Sequence, residues 1–320
     1  MREARLVSVV VPMFNEEGTA RELYGRVCAA LDDVPFELVA VDDGSSDSTP
    51  AILAELADAD DRVKVVELSR NFGHQTALTA GLDHASGDAV VMMDADLQDP
   101  PELIGEMLER WAAGADVVYA VRTAREGETR FKRSTAMLFY RLLSRLADVS
   151  VPHDAGDFRL LDRRPLDAVL AMRERNRFLR GMTVWVGFTQ TAITYRRDAR
   201  HAGETKYPLA KMLRFSFDAL TSFSHAPLQA ATLLGFAFSL LAFLAIPFTV
   251  AARYANIYER GVPTTIVIIL LLGGIQLITV GIIGEYVGRI YDEVKHRPLY
   301  VVRDRVNVDA PDPSERAGTT

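Results

Sequence analysis

Two stretches near the C-terminal end carry no charged residue: 226–252 and 261–284. A run of that length either packs inside a large core or crosses a bilayer, whose hydrocarbon layer of roughly 30 Å takes about 20 helical residues. The connector Arg253-Tyr254-Ala255-Asn256-Ile257-Tyr258-Glu259-Arg260 is short, so the two runs pair as a hairpin. Lys206, Lys211 and Arg214 precede it, and Arg289, Lys295, Arg297, Arg303 and Arg305 follow. That basic excess places both flanks on the cytoplasmic side, although Arg253 and Arg260 in the connector count the other way. Pro247 inside the first run is tolerated in a membrane helix. The expectation is a protein integral to the cytoplasmic membrane, with both termini and the preceding domain in the cytoplasm. Buried core helices of a soluble protein are the alternative.

The preceding 210 residues alternate between short β-branched runs and helical patterns. Strands are expected at Leu6–Pro12, Phe36–Val41, Val63–Leu68, Ala89–Met93 and Asp116–Val121. Helices are expected at Glu17–Leu31, Ser48–Ala57, Gln75–His84 and Pro101–Ala113. Such alternation predicts an α/β fold, a Rossmann-like, mostly parallel sheet covered on both faces. Ligands of these sheets bind outside the carboxyl ends of the strands. Those ends carry Pro12-Met13-Phe14-Asn15-Glu16, Asp42-Asp43, Ser69-Arg70-Asn71, Asp94-Ala95-Asp96 and Arg122.

Asp94 and Asp96 follow the apolar run Ala89-Val90-Val91-Met92-Met93 and are one residue apart. Two carboxylates so placed repel unless a cation lies between them, and Mg2+ or Mn2+ takes oxygen ligands and bridges to phosphates. An acidic turn closed by Pro100 is the plain alternative. No G-x-G-x-x-G follows the first strand and no G-x-x-x-x-G-K-[ST] occurs, so phosphates must be held by metal and basic side chains.

A net charge of -7 argues against nucleic acid as a partner. The sole cysteine, Cys28, excludes an intrachain disulfide and fits a reducing compartment. The N-terminus enters a strand at once, leaving no room for a signal peptide. The tail 309–320 has the composition of a disordered segment.

The segments Val11-Pro12-Met13-Phe14-Asn15-Glu16, Val41-Asp42-Asp43-Gly44-Ser45-Ser46-Asp47 and Asp94-Ala95-Asp96 resemble inverting family 2 glycosyltransferases of the GT-A fold. Ser69-Arg70-Asn71-Phe72-Gly73-His74-Gln75, Gly156-Asp157-Phe158-Arg159, Arg177-Phe178-Leu179-Arg180-Gly181, the 200–207 string Arg-His-Ala-Gly-Glu-Thr-Lys-Tyr and the 284–291 string Gly-Glu-Tyr-Val-Gly-Arg-Ile-Tyr narrow it. Together they resemble polyprenyl-phosphate glycosyltransferases of the bactoprenol glucosyltransferase type, relatives of dolichol-phosphate mannose synthase. The Q-x-x-R-W motif of processive synthases is absent. The resemblance implies metal-dependent, inverting transfer of one sugar from a nucleotide sugar to undecaprenyl or another polyprenyl phosphate. UDP-glucose is the expected donor, the product is a β-linked phosphosugar, and GDP-mannose or another UDP-sugar is the alternative donor. A homotetramer is also implied, held partly by the membrane helices and a strand-like tail at Leu299-Tyr300-Val301-Val302. The implied organisation is a GT-A catalytic domain over 1–210, a juxtamembrane amphipathic helix over 211–225, and two transmembrane helices within 226–284. A cytoplasmic helix and strand over 285–308 and the tail 309–320 complete it.

By the same resemblance, Pro12, Phe14, Glu16, Val41 and Asp43 match positions that cradle the nucleoside, and Asp94, Ala95 and Asp96 match the metal–diphosphate motif. Arg122, Arg200 and Lys206 match basic residues around the phosphates, and Asp157 matches an acidic residue near the acceptor. Asp157, Asp96 and Arg122 are thus the candidate catalytic groups, with Arg133, Ser134 and Arg122 for the acceptor phosphate. Physical readings stay open beside these. Asp43 either accepts from base or ribose or caps the following helix. Arg122 alone is equally consistent with a solvated cation. Asp157 is a base, an orienting group, or a structural partner of Arg159; a phosphomonoester, with its second pKa of about 6, needs little help from a base. The apolar pattern 136–146 punctuated by Lys132, Arg133, Arg141 and Arg145 suits the lipid interface, as does 211–217, or each is a core helix with a basic outer face.

Overall fold

The computed structural model describes residues 2–122, 155–195 and 261–308, with scattered helical positions between 228 and 251. Contacts divide the chain into two units. The described residues up to 195 and from 298 onward form one, and 261–297 belong to the other.

The first unit runs β1 (Val7–Met13), α1 (Ala20–Ala30), β2 (Phe36–Asp42), α2 (Thr49–Ala59), β3 (Val63–Leu68), α3 (His74–His84) and β4 (Ala89–Met92). A 3-10 turn (Pro101–Leu103) leads into α4 (Ile104–Ala112) and β5 (Val117–Arg122). Then come β6 (Ala155–Asp162), α5 (Arg163–Ala171), α6 (Leu179–Trp185), β7 (Gln190–Tyr195) and, much later, β8 (Val302–Val306). The expected elements are present, and the largest shifts are at two helix starts: α4 opens at Ile104, after the 3-10 turn that takes Pro101–Leu103, and α1 at Ala20, not Glu17. Asn15 takes a left-handed φ of 57°, the Glu16 N–H donates to Thr49 Oγ1 at 2.8 Å, and Glu17 Oε2 accepts from the Ser48 N–H at 3.0 Å. These residues tie two loops together before the helix starts.

The sheet order is β7-β5-β6-β4-β1-β2-β3-β8. Strands β1 to β4 pair in parallel, as does β5 with β7, but β6 is antiparallel to both β4 and β5, and β8 is antiparallel to β3. The sheet is mostly parallel, as expected, and is mixed because β6 and β8 run against the other six strands. Val7, Val9, Val11 and Met13 point to one face, against Leu23 and Val27 of α1, Leu53 of α2, and Met107 and Trp111 of α4. On the other face α3 lies close to the strands because Gly81 has no side chain: a Cβ there would come within 2.3 Å of Val10 Cγ1 and 2.9 Å of Val41 Cγ2. Each fully buried Val or Leu contributes about 1.5–3 kcal/mol, so this two-sided core supplies the rigidity on which the sheet edge is built.

The C-terminal strand falls at Val302–Val306, later than the expected Leu299–Val302, and pairs with β3 of its own chain. Its Arg303 bonds Glu67 at 2.9 Å, and it covers a sheet edge that would otherwise expose unpaired backbone groups.

In the second unit, α7 (Val262–Val294) is one continuous helix of 33 residues, without a break near 284. At 1.5 Å per residue it is about 50 Å long. Its Leu271–Val294 segment is the one helix among the described residues that is long and apolar enough to cross a membrane. Leu277, Ile278 and Val280 are 75%, 63% and 60% exposed. The other run, 226–252, is described only at scattered helical positions, so the hairpin is not established.

Candidate active site

The parallel strands β1 to β4 all end at one sheet edge, and there a cleft of about 460 Å3 opens. Pro12, Phe14 and Glu16 line it from the β1 exit, Asp43 from β2, and Asp94, Ala95 and Asp96 from β4. Phe14 is 46% exposed, unusual for a phenylalanine at a strand exit, and presents a ring surface to the opening. Burial raises the pKa of Glu16, the Thr19 hydroxyl draws it back, and the charges of Asp96 and Asp47 add to the rise.

Asp43 lines the cleft and does not cap the following helix α2. Its carboxylate accepts the backbone N–H groups of Phe72 (2.7 Å) and Gly73 (2.9 Å), just before α3. Gly44 makes this close approach possible: its φ is 72°, and a Cβ would lie 2.6 Å from the Arg70 carbonyl carbon. The Asp43-Gly44 pair thus fastens the 70–73 loop, which delivers His74 and Gln75.

Asp157 reaches the same edge because β6 runs antiparallel. Met92 pairs with Arg159, and two further steps in that register set Asp94 opposite Asp157. His74 Nε2 lies 3.4 Å from Asp94 Oδ1 and 3.5 Å from Asp157 Oδ2. Burial pulls the imidazolium pKa down, yet the bond to Asp157 and the charges of Asp94 and Asp157 outweigh it, and the net shift is upward. Asp94 is pushed up to about 6, chiefly by burial, with His74 opposing and Asp99, Asp157 and Asp96 adding repulsion.

Asp157 behaves oppositely. Burial would raise its pKa, but His74 and the Arg180 guanidinium hold it far below the carboxylate range. Arg180 Nε donates to Oδ1 at 2.7 Å and Nη2 to Oδ2 at 3.0 Å, while Gln75 Nε2 donates to Oδ2 at 3.3 Å. A carboxylate so bound is a poor base. Its structural partner is Arg180, not the Arg159 considered from the sequence. Arg159, one β-pleat further on the same face, bonds Thr183 Oγ1 and the Gly156 carbonyl instead. His74, Gln75 and Arg180 lay in strings that carried the family resemblance, but no role followed from spacing alone.

Two expected site residues stand elsewhere. Val41 is fully buried beneath α3 and does not line the cleft. Arg122 ends β5, which β6 separates from β4, so its backbone is two strand spacings, roughly 10 Å, from the Asp94 strand. Arg133, Ser134, Arg200, Lys206, the basic helix patterns and the tail 309–320 lie outside the described residues.

The corner fits a hard divalent cation. Asp94 Oδ1 is buried and makes no hydrogen bond among the described residues, an expensive state for a carboxylate oxygen. Ligand atoms of His74, Asp94 and Asp157 lie within 4.8 Å of one another. Asp96 lines the same cleft, with Oδ1 accepting the Gln98 N–H at 3.1 Å. Between Asp96 and Gln98, Leu97 takes a φ of 59°, held there by its burial.

Residues 8–170 match the family model for glycosyl transferase family 2. The chain is 51% identical over 308 residues to the uncharacterized glycosyltransferase YkcC of Bacillus subtilis strain 168, covering 94% of each. It is 43% identical over 301 residues to the uncharacterized glycosyltransferase sll0501 of Synechocystis, covering 93% of this chain and 95% of that one. It is 41% identical over 302 residues to the bactoprenol glucosyl transferase of Shigella phage SfV, covering 93% and 98%. With a sheet edge that gathers Asp94, Asp96 and Asp157 into one cleft, and with relatives matched along nearly their whole length, this chain belongs to glycosyl transferase family 2, with a GT-A-type mixed α/β catalytic unit.

Proposed function

We propose that the protein transfers a single sugar from a nucleotide sugar, UDP-glucose, to undecaprenyl or a related polyprenyl phosphate at the cytoplasmic membrane face. The observation that carries this reading is the acidic cleft, in which Asp94 keeps a buried oxygen with no hydrogen bond among the described residues, beside Asp96. The near full-length match to a bactoprenol glucosyl transferase supports the acceptor. The exposed apolar segment Leu271–Val294 supports a membrane site of action. In this reading the 226–252 run completes a membrane hairpin with both flanks cytoplasmic, and the protein assembles as a tetramer.

Pro12, Phe14 and Glu16 form the wall for the nucleoside, with Asp43 acting through the 70–73 loop that it holds. Asp94 and Asp96 would hold Mg2+ or Mn2+ beside the donor site. When bound, the cation supplies Lewis-acid stabilisation of the departing nucleoside diphosphate. Arg200 and Lys206 add positive charge around the phosphates, and Arg133 and Ser134 receive the acceptor phosphate. Arg122 joins them only if its side chain spans the width of β6.

The acceptor phosphate is largely dianionic near neutral pH, given a second pKa of about 6, and attacks the anomeric carbon without losing a proton first. As its oxygen bonds to carbon, the bond to the donor diphosphate breaks and the electron pair leaves with the diphosphate. Attack opposite the α-linked leaving group gives a β-linked product. Asp157, held ionised by Arg180, orients groups in the cleft and does not act as a base.

The test uses purified full-length protein with undecaprenyl phosphate and a panel of UDP-glucose, GDP-mannose and other UDP-sugars. A β-linked glucosyl lipid formed only with divalent cation is expected. Transfer from GDP-mannose alone would replace the donor; an α-linked product, or full activity in excess chelator, would overturn the mechanism.

A further inference from the structure

Resting on the reading above, we propose that Arg180 is a positioning residue for sugar transfer, acting through Asp157. The guanidinium approaches the carboxylate edge-on, with Nε at 2.7 Å and Nη2 at 3.0 Å, a two-pronged geometry that fixes the rotation of the carboxylate as well as its place. Gln75 closes the other side: its Nε2 donates to Asp157 Oδ2 at 3.3 Å, and its Oε1 accepts the Leu179 N–H at 3.1 Å. Both Asp157 oxygens are therefore engaged by groups from α3 and α6. The carboxylate is held opposite Asp94, with Oδ2 3.5 Å from His74 Nε2.

A simpler role would be to bolt α6 onto the sheet. That helix is anchored without Arg180. Thr183 bonds Arg159 of β6, Gln190 Nε2 donates to the Thr183 carbonyl at 2.8 Å, and the first helical N–H is taken by Gln75. Arg177, three residues before Arg180, is spent on the carbonyls that end α5, bonding those of Met172 and Val169. The Arg-x-x-Arg string thus divides its labour: the first arginine caps a helix, and the second aims a carboxylate into the cleft. Without the second, Gln75 and His74 still hold Oδ2, but Oδ1 loses its Arg180 donor and the carboxylate can rotate.

The experiment compares Arg180→Ala, Arg180→Lys, Asp157→Ala and the double variant as full-length protein in detergent, with UDP-glucose, undecaprenyl phosphate and divalent cation. Arg180→Ala is expected to lower kcat about 10- to 100-fold, the scale of a misplaced cleft group, with donor KM within about threefold. Arg180→Lys keeps the charge but not the fork and stays impaired, whereas free guanidinium restores Arg180→Ala. The double variant is no slower than Asp157→Ala, because both changes remove one unit. Wild-type turnover in Arg180→Lys, or additive losses, would overturn the proposal. If wild-type protein transfers nothing to the lipid, the functional reading has failed by itself. The crystal structure of Arg180→Ala then decides this point: displaced Asp157 supports the bracket, and an unmoved Asp157 ends it.

Discussion

The two edges of the sheet both bury carboxylates, and they treat them in opposite ways. At the amino ends of the strands, Glu37 is 2% exposed and fully partnered. It accepts from Ser8 Oγ at 2.5 Å and from the Ser86 N–H and hydroxyl at 2.6 and 2.8 Å, and it pairs with Lys64. Burial would raise its pKa, but Lys64, Ser8 and Ser86 together bring it below the ordinary value. At the carboxyl ends, the Asp94 side chain is 28% exposed, yet its Oδ1 is buried with no hydrogen bond among the described residues, and its pKa is pushed up to about 6. One edge has spent its charges on the fold. At the other, Asp94 Oδ1 meets His74 Nε2 at 3.4 Å, a looser pairing than any Glu37 makes, and a ligand would complete it. Buried charge by itself therefore does not mark a site; buried charge left incomplete does.

The sharpest way to break this contrast is at Asp96. Asp96→Ala is expected to lower the transfer rate at least about 100-fold while leaving the melting temperature near that of wild type, the signature of a lost electrostatic contribution to the reaction. A mild rate loss with a large drop in melting temperature would put this edge in the same class as the other. Glu37→Gln should do the reverse: about 2 kcal/mol less stable, because Lys64 and the serines lose a charged partner, with transfer per folded molecule unchanged. Thermal melts of the two proteins beside wild type read this directly.

The opposed pKa shifts sharpen the comparison further. Glu37 is lowered from 4.5, so its contribution is fully present above that pH and is lost as pH falls through the lower folded value. Asp94 is raised from 3.8 to about 6, so the fold favours its protonated form; its contribution is fully present below pH 3.8 and is lost as pH rises through about 6. In chelator, Glu37→Gln should flatten the acid limb of a melting-temperature profile and Asp94→Asn the decline. A decline that persists in Asp94→Asn would assign it to another group. The smallest effect is expected at the covered edge. Arg303 is 62% exposed in its pair with Glu67, and Arg303→Ala should cost about 0.5 kcal/mol or less. A larger loss would mean that β8 is held by that ion pair and not by its backbone ladder.

The alternation of strand and helix, the exit of Asp94 and Asp96 from a buried strand, and the apolar character of 261–284 were all legible in the order of residues. Each is a local pattern, set by side-chain periodicity over a few turns or pleats. The neighbourhoods were not. Asp157 stands opposite Asp94 only because β6 runs antiparallel between β4 and β5, and that same insertion moves Arg122 away from the centre. Asp43 holds the loop before α3 and not the helix beside it in sequence, and Asp157 is gripped by Arg180 and not by Arg159. Val41 matched a cradle position by motif and lies under Gly81 in the core. Strand order and register join residues dozens of positions apart, and the free energy that selects one partner over another comes from packing and burial. Periodicity specifies which face a side chain takes; only the assembled sheet decides what that face meets.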